Sequence, residues 1–211
     1  MSSLISQLAA TSPWEAAGAA LGLAYLLFAV RRNLLCWLCA FASTAIYLVL
    51  FARAALYMQS ALQVFYLVMA VYGFIEWRRG RSDSGEVLIR SWTVRQHLAA
   101  AALVIVATLI NGWLLTRTDA AAPYMDSLVT WGSVVTTWMV ARRVIENWLY
   151  WIVIDGIAAW LYFTQGLLAT ALLFVIYLGI VVRGYFAWRR ELVEQRQASN
   201  ASAAVAETHA A

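Results

Sequence analysis

The chain contains no lysine, only two cysteines, two prolines and two histidines, and its charged residues make up 12% of 211 positions. Each shortage excludes something. A soluble domain of this size is about a quarter charged and about half apolar, whereas this chain is 64% hydrophobic with a mean hydropathy of +0.72. It reads as an all-α polytopic membrane protein. The missing lysine fits a base-composition bias of the genome, and it also removes the amine that a retinal Schiff base requires, so retinal proteins are excluded. A membrane enzyme gathers histidines, cysteines or carboxylates toward one leaflet. Here the acids are scattered and His97 alone lies near a span, so no catalysis, no cofactor and no metal are expected. Cys36 and Cys39 spell C-x-x-C without a second cysteine pair or a histidine nearby, and read as packing residues. The first eleven residues, MSSLISQLAAT, lack a basic stretch, so no cleavable leader is expected.

What is present is long apolar runs bounded by Arg, Gly, Pro or polar clusters. They predict seven spans, over 13–30, 34–51, 55–77, 97–115, 124–141, 147–164 and 167–187. Ser12 as cap, Pro13 in the first turn and Glu15 three residues after the cap mark the first start, and Pro123 marks the fifth. The loops after spans one, three, five and seven hold Arg31, Arg32, Arg78, Arg79, Arg81, Arg90, Arg95, Arg142, Arg143, Arg189, Arg190 and Arg196. The other side holds Arg53 and Arg117, and Arg183 falls within the last span. Positive charge collects on the cytosolic side, which puts the N-terminus outside and the C-terminus in the cytosol of a multi-pass membrane protein.

Sliding the sequence against itself by 111 positions superposes Arg31-Arg32 on Arg142-Arg143, Trp37 on Trp148, Tyr66 on Tyr177 and Gly73 on Gly184. Trp77 falls on Trp188, Arg78-Arg79 on Arg189-Arg190, and Glu15 meets Asp126. The chain therefore divides into an external N-terminus (1–12), a three-helix unit (13–79), a cytosolic loop (80–96), a linker helix with its external loop (97–123), a second three-helix unit (124–190) and a mobile cytosolic tail (191–211). One connecting helix leaves both units in the same orientation, a 3+1+3 arrangement. Parallel repeats of this kind bracket a site near the midplane.

The endings YGFIEWRR and RGYFAWRR, with the stretch ENWLYWIVIDG, resemble the PnuC family of nicotinamide riboside transporters over about residues 13–190. The resemblance implies a fold like that of the sugar-transporting SWEET proteins, a homotrimer in the lipid bilayer, and facilitated diffusion without a coupling ion. Phosphorylation of the vitamin in the cytosol would then trap it. The family also has thiamine- and riboflavin-carrying relatives, and no nucleic-acid partner is implied.

Within ENWLYWIVIDG, Asn147, Trp151 and Asp155 recur at i, i+4 and i+8 and share one face of the sixth span. Asp155 lies about 12 Å along the helix from Asn147, inside hydrocarbon, where an ionised carboxylate costs at least about 2.5–3.5 kcal/mol. It must face the bundle interior, either toward a ligand or paired with Arg183 or a tyrosine hydroxyl. Nicotinamide riboside presents a pyridinium ring, an amide and ribose hydroxyls, for which an aromatic face, an amide and a carboxylate are suitable partners. Thiamine, also a cationic heteroaromatic, would be served equally well. Gln59, Gln63 and Tyr66 form a second stripe on span three, and the repeat mate of Tyr66 is Tyr177. These seven residues are the candidate substrate-binding set, with Gln59 nearest the outer face. Gln63 either contacts substrate or holds helices through bonds under about 2 kcal/mol. Trp37, Trp77, Trp148 and Trp188, at helix ends, read as an interfacial aromatic belt. Glu76 reads as a surface partner of Arg78 and Arg79, and His97 as interfacial.

The lopsided arginine count carries its own test. A reporter fused after Arg190 should be cytosolic and one inserted near Ala120 external. An external C-terminus would overturn the span count.

Overall fold

In the computed structural model the first helix begins where the chain supplies a cap. Residues 12–53, 57–80, 87–118 and 122–210 are described, and among them run α1 (Pro13–Val30), α2 (Leu35–Arg53), α3 (Tyr57–Arg79), α4 (Val94–Leu115), α5 (Pro123–Ala141), α6 (Asn147–Thr164) and α7 (Leu168–Ala210). At α1 the Glu15 N–H donates to Ser12 Oγ at 3.2 Å, and Ser12 N–H returns to Glu15 Oε2 at 3.3 Å. Thr93 N–H likewise donates to Gln96 Oε1 at 2.8 Å, and α4 starts at Val94 rather than at 97. Hydropathy could not place that start because the first turn, Val-Arg-Gln-His, is mostly polar. Four helices, Pro13–Val30, Leu35–Arg53, Val94–Leu115 and Leu168–Ala201, are long and apolar enough to cross a membrane by length and composition alone. Polar or indole side chains lower the mean hydropathy of α3, α5 and α6, and on α5 Ser127, Ser133, Thr136 and Thr137 are buried.

Each three-helix set packs in sequence, α1 on α2 and α2 on α3, then α5 on α6 and α6 on α7. Between the sets α1 meets α7 and α3 meets α5, while α4 packs on α5. At an offset of 111, α1 corresponds to α5 and α3 to α7, so the two contacts between sets are counterparts. The turns that leave α1 and α5 also correspond. Arg32 (φ 55) and Arg143 (φ 62) both adopt the left-handed conformation, uncommon for a residue with a Cβ. Asn33 N–H donates to Phe28 O at 2.9 Å and Val144 N–H to Met139 O at 3.0 Å, the 6→1 closure of a helix end.

The tryptophans expected at the lipid interface are instead in the core. Trp37, Trp77, Trp148 and Trp188 are 0–2% exposed. They form a chain of rings, with Trp37–Trp77 centroids at 5.5 Å, Trp77–Trp188 at 5.9 Å and Trp148–Trp188 at 5.4 Å. The outer two pairs are edge-to-face, at 89° and 83°, the favoured aromatic geometry. Trp77 Nε1 donates to Val140 O at 3.0 Å and Trp188 Nε1 to Ala29 O at 3.1 Å. Each set thus places a donor on the other, at repeat-equivalent positions. Glycine makes the room: a Cβ on Gly73 would collide with the Trp37 ring, and one on Gly184 would lie 2.6 Å from Trp148.

The residues from 191, read as a tail, continue α7 as helix to Ala210. Alanine, glutamine and glutamate are good helix formers, and Gln195 ties the extension down. Gln195 Oε1 accepts from Ile89 N–H at 3.1 Å, and its Nε2 donates to Val87 O at 3.3 Å. The same loop pairs with the α5–α6 turn through Arg90 N–H to Arg143 O (2.8 Å) and Ile145 N–H to Arg90 O (2.9 Å).

Gly184→Val should therefore overpack against Trp148 and cost about 1–3 kcal/mol, read as a lower thermal midpoint in detergent. Gly179→Ala on the same helix, where a Cβ meets nothing within 4 Å, should leave the midpoint unchanged.

Candidate functional site

The 3.6-residue period of α6 carries its polar stripe from the arginine-rich end toward the bundle centre. Asn147, fully buried at the first turn, donates from Nδ2 to Val144 O at 2.6 Å and leaves Oδ1 without a partner. One turn on, Trp151 is half-buried and lines a cavity of about 180 Å3. Two turns on, Asp155 is 4% exposed.

The cavity draws on five helices: Tyr25 from α1, Trp37, Ala40, Ser43 and Thr44 from α2, Tyr66 and Ala70 from α3, Thr137 from α5 and Trp151 from α6. Its walls are aromatic and its polar groups are hydroxyls. The Tyr66 hydroxyl interacts with Ser133, and Ser43 Oγ donates to Gly18 O at 2.7 Å. Trp37 closes the end toward the arginines, and its Nε1 is a buried donor with no partner among the described residues. Repeat mates share this space: Ala40 and Trp151 both line it, and so does Thr44, the mate of Asp155. Small residues on α2 leave the volume into which the indole of α6 projects. Small-molecule sites usually measure about 300–1,000 Å3, so this cavity is smaller than a typical ligand site.

Asp155 forms no ion pair or hydrogen bond among the described residues. Arg183, its suggested partner, is exposed and lines a separate groove between α1 and α7. The pairing with Arg183 is thus not formed, because Arg183 points away from the bundle interior. The carboxylate acts electrostatically on Tyr177. Tyr177 in turn reaches toward the cavity: a Cβ on Gly22 would lie 3.2 Å from its hydroxyl and 3.7 Å from Ser43 Oγ. Of the seven candidates, then, Trp151 and Tyr66 line the cavity, while Tyr177 approaches its Ser43 wall and Asp155 lies one helical turn beyond Trp151. Asn147 sits at the α5–α6 turn away from its lining. Gln63 is half-buried on α3 and outside the lining, and the side chain of Gln59 lies outside the described residues.

Tyr25, Trp37, Ser43 and Thr137 are lining residues that the sequence reading missed. Isolated hydroxyls on an apolar span are no pointer, since they also bond to their own helix, as Thr136 Oγ1 does to Gly132 O at 2.7 Å. The available signal was the density of Ser and Thr on span five.

At the arginine-rich end Glu76 pairs not with Arg78 or Arg79 but with Arg143 at 3.3 Å and Arg142 at 3.8 Å. Arg143, 2% exposed, also donates from Nη1 to Gly80 O at 2.7 Å, and a Cβ at Gly80 would collide with that guanidinium. Burial, helped by nearby Arg90, pulls the Arg143 pKa below its ordinary value, and Glu76 opposes the shift. The repeat mate Arg32 pairs with Glu191 at 2.6 Å. His97, read as interfacial, is a half-buried link between helices: its Nδ1 is 3.0 Å from the Tyr150 hydroxyl and its ring stacks on Tyr150.

Comparison with known proteins bears on this geometry. Residues 12–190 match a family described as "Nicotinamide mononucleotide transporter". The chain is 31% identical over 180 residues to the riboflavin/roseoflavin transporter RibM of Streptomyces davaonensis, covering 81% of this chain and 82% of that one. It is 27% identical over 166 residues to the nicotinamide riboside transporter PnuC of Escherichia coli, covering 66% and 70%. The crystal structure of a vitamin B3 transporter PnuC superposes with a TM-score of 0.67 at 25% identity, over 84% of this chain and 81% of the other.

Breaking a buried pair strands a charge and costs several kcal/mol, less where one partner reaches solvent. Glu76→Gln should therefore lower the thermal midpoint, whereas Arg78→Gln with Arg79→Gln, on the exposed surface, should shift it little. Equal losses would restore the surface-pair reading of Glu76.

Proposed function

The chain belongs to the nicotinamide mononucleotide transporter family, whose members matched above are vitamin transporters, and we propose that it carries nicotinamide riboside by facilitated diffusion. The observation that carries this reading is Asp155, a buried carboxylate without a partner among the described residues, one helical turn beyond Trp151, which lines an aromatic-walled cavity. A cationic pyridinium supplies the missing countercharge, and Trp151 offers it a π face. The unpartnered Trp37 Nε1 is a donor for the ligand's amide or ribose oxygens. Gln63 and Asn147 meet the ligand only after rearrangement, because neither reaches the present cavity. Riboflavin is the second reading, favoured by the likeness to RibM, and its uncharged flavin ring has no use for Asp155. Thiamine, cationic like nicotinamide riboside, shares the first reading's chemistry.

The reciprocal bonds between the sets support a parallel 3+1+3 arrangement with alternating access. In this state the tryptophan chain and the Arg32–Glu191 and Arg143–Glu76 pairs close the arginine-rich end, which the positive-inside rule assigns to the cytosol. Among the described residues no histidine or carboxylate is hydrogen-bonded to Asp155, and no group of three His, Cys, Asp or Glu side chains forms, which supports uniport over proton coupling. Net uptake then depends on cytosolic phosphorylation. A homotrimer belongs to the same reading.

Purified protein in liposomes should equilibrate nicotinamide riboside without an ion gradient. Accumulation above the external level that collapses with a proton or sodium gradient would overturn uniport. Trp151→Ala removes a contact of about 2 kcal/mol, more than tenfold in affinity, and Trp151→Phe should retain part of it. Asp155→Asn should weaken nicotinamide riboside and leave riboflavin unaffected. If the unmodified protein moves riboflavin and not nicotinamide riboside, the second reading replaces the first.

A further inference from the structure

Arg183 is an unexpected residue on its helix. It lies seven positions before Arg190 on α7, two helical turns and about 10.5 Å nearer the membrane centre, yet it is exposed rather than turned into the bundle. A guanidinium at that depth is costly unless an anion meets it or its stem reaches the interface. No carboxylate among the described residues pairs with it. The four ion pairs there are Arg32–Glu191, Arg142–Glu76, Arg143–Glu76 and Arg190–Glu194, so Arg31 lacks a carboxylate as well.

Arg31 and Arg183 face one groove between α1 and α7, with a volume of about 910 Å3. Arg32 and Arg190 complete its basic end, and Glu191, already engaged by Arg32, is the one acid in its lining. Beyond Arg183 along α7 the walls are Ile180 and Ile176, with Leu27 and Val30 contributed by α1. The lining there includes Gly179, where a Cβ would meet nothing within 4 Å. A cationic mouth thus opens into an apolar slot running toward the membrane centre.

We propose that this groove binds an anionic phospholipid of the leaflet at the arginine-rich end, its phosphate between Arg31 and Arg183 and one acyl chain along Gly179. Guanidinium groups bind phosphate through paired N–H donors, and basic pockets between membrane helices suit anionic headgroups. Glu191, the groove's one acid, is already paired with Arg32, so the groove cannot answer its own arginines across a two-fold contact. The lipid site is separate from the transport cavity, which Arg183 and Gly179 do not line.

The test uses the full-length protein, delipidated in a neutral detergent, with dioleoyl phosphatidylglycerol, dioleoyl phosphatidylcholine or inorganic phosphate added in parallel. Phosphatidylglycerol should raise the thermal midpoint and persist as a bound adduct in native mass spectrometry, and the other two should do neither. Arg31→Gln with Arg183→Gln should abolish both effects. Gly179→Leu, which keeps every charge and fills the slot, should abolish them too, and decides alone if the double variant does not fold. Equal stabilisation by phosphatidylcholine, a matching shift with phosphate alone, or full retention of the effect in Gly179→Leu would overturn the proposal. A change of oligomeric mass in Gly179→Leu would also overturn it, by assigning the groove to contact between copies.

Discussion

The two three-helix sets hold one another through a reciprocal exchange of donors at the arginine-rich end. Trp77 of the first set bonds to Val140 of the second, and Trp188 of the second to Ala29 of the first. Arg143 and Arg32 repeat the exchange with Glu76 and Glu191. The carbonyls chosen belong to the last turns of α1 and α5, where helix acceptors lack intrahelical donors. Each already accepts the N–H of its turn arginine, and the indole takes the remaining lone pair. The left-handed turn, the freed carbonyl, the tryptophan above it and the glycine that admits the neighbouring ring are consequently one unit. It occurs twice, and the cavity lies just beyond it.

Much of this frame was legible in the sequence. Trp, Gly and Arg-Arg recurring at one offset marked two equivalent units, and apolar runs bounded by arginines located the helices. What could not be read was which neighbour each side chain would choose. A tryptophan at a helix end looks the same whether it faces lipid or core; only its glycine partner across the set distinguishes the two, and Gly73 and Gly184 were visible without that meaning. Glu76 was matched to the arginines beside it in the chain, whereas its partners arrive from a turn more than sixty residues away. Of the α6 stripe, periodicity correctly put Asn147, Trp151 and Asp155 on one inward side. It could not show that this side is divided between the turn, the cavity and the neighbourhood of Tyr177.

The frame is symmetric and its lining is not. Between α2 and α6, Ala40 answers Trp151, Thr44 answers Asp155 and Cys36 answers Asn147, so on this helix pair the bulk, the charge and the amide sit on α6. Equivalent helices and counterpart contacts thus enclose a cavity whose two walls carry different chemistry.

Helix α7 has 43 residues, about 65 Å at 1.5 Å per residue, more than twice the roughly 30 Å hydrocarbon core. Its near part carries Trp188, and its far part is pinned by Gln195 to a loop that also holds the α5–α6 turn. Less than half of this helix fits within that thickness, so the remainder is carried outside it as continuous helix, and Gln195 fixes where that remainder lies against the loop.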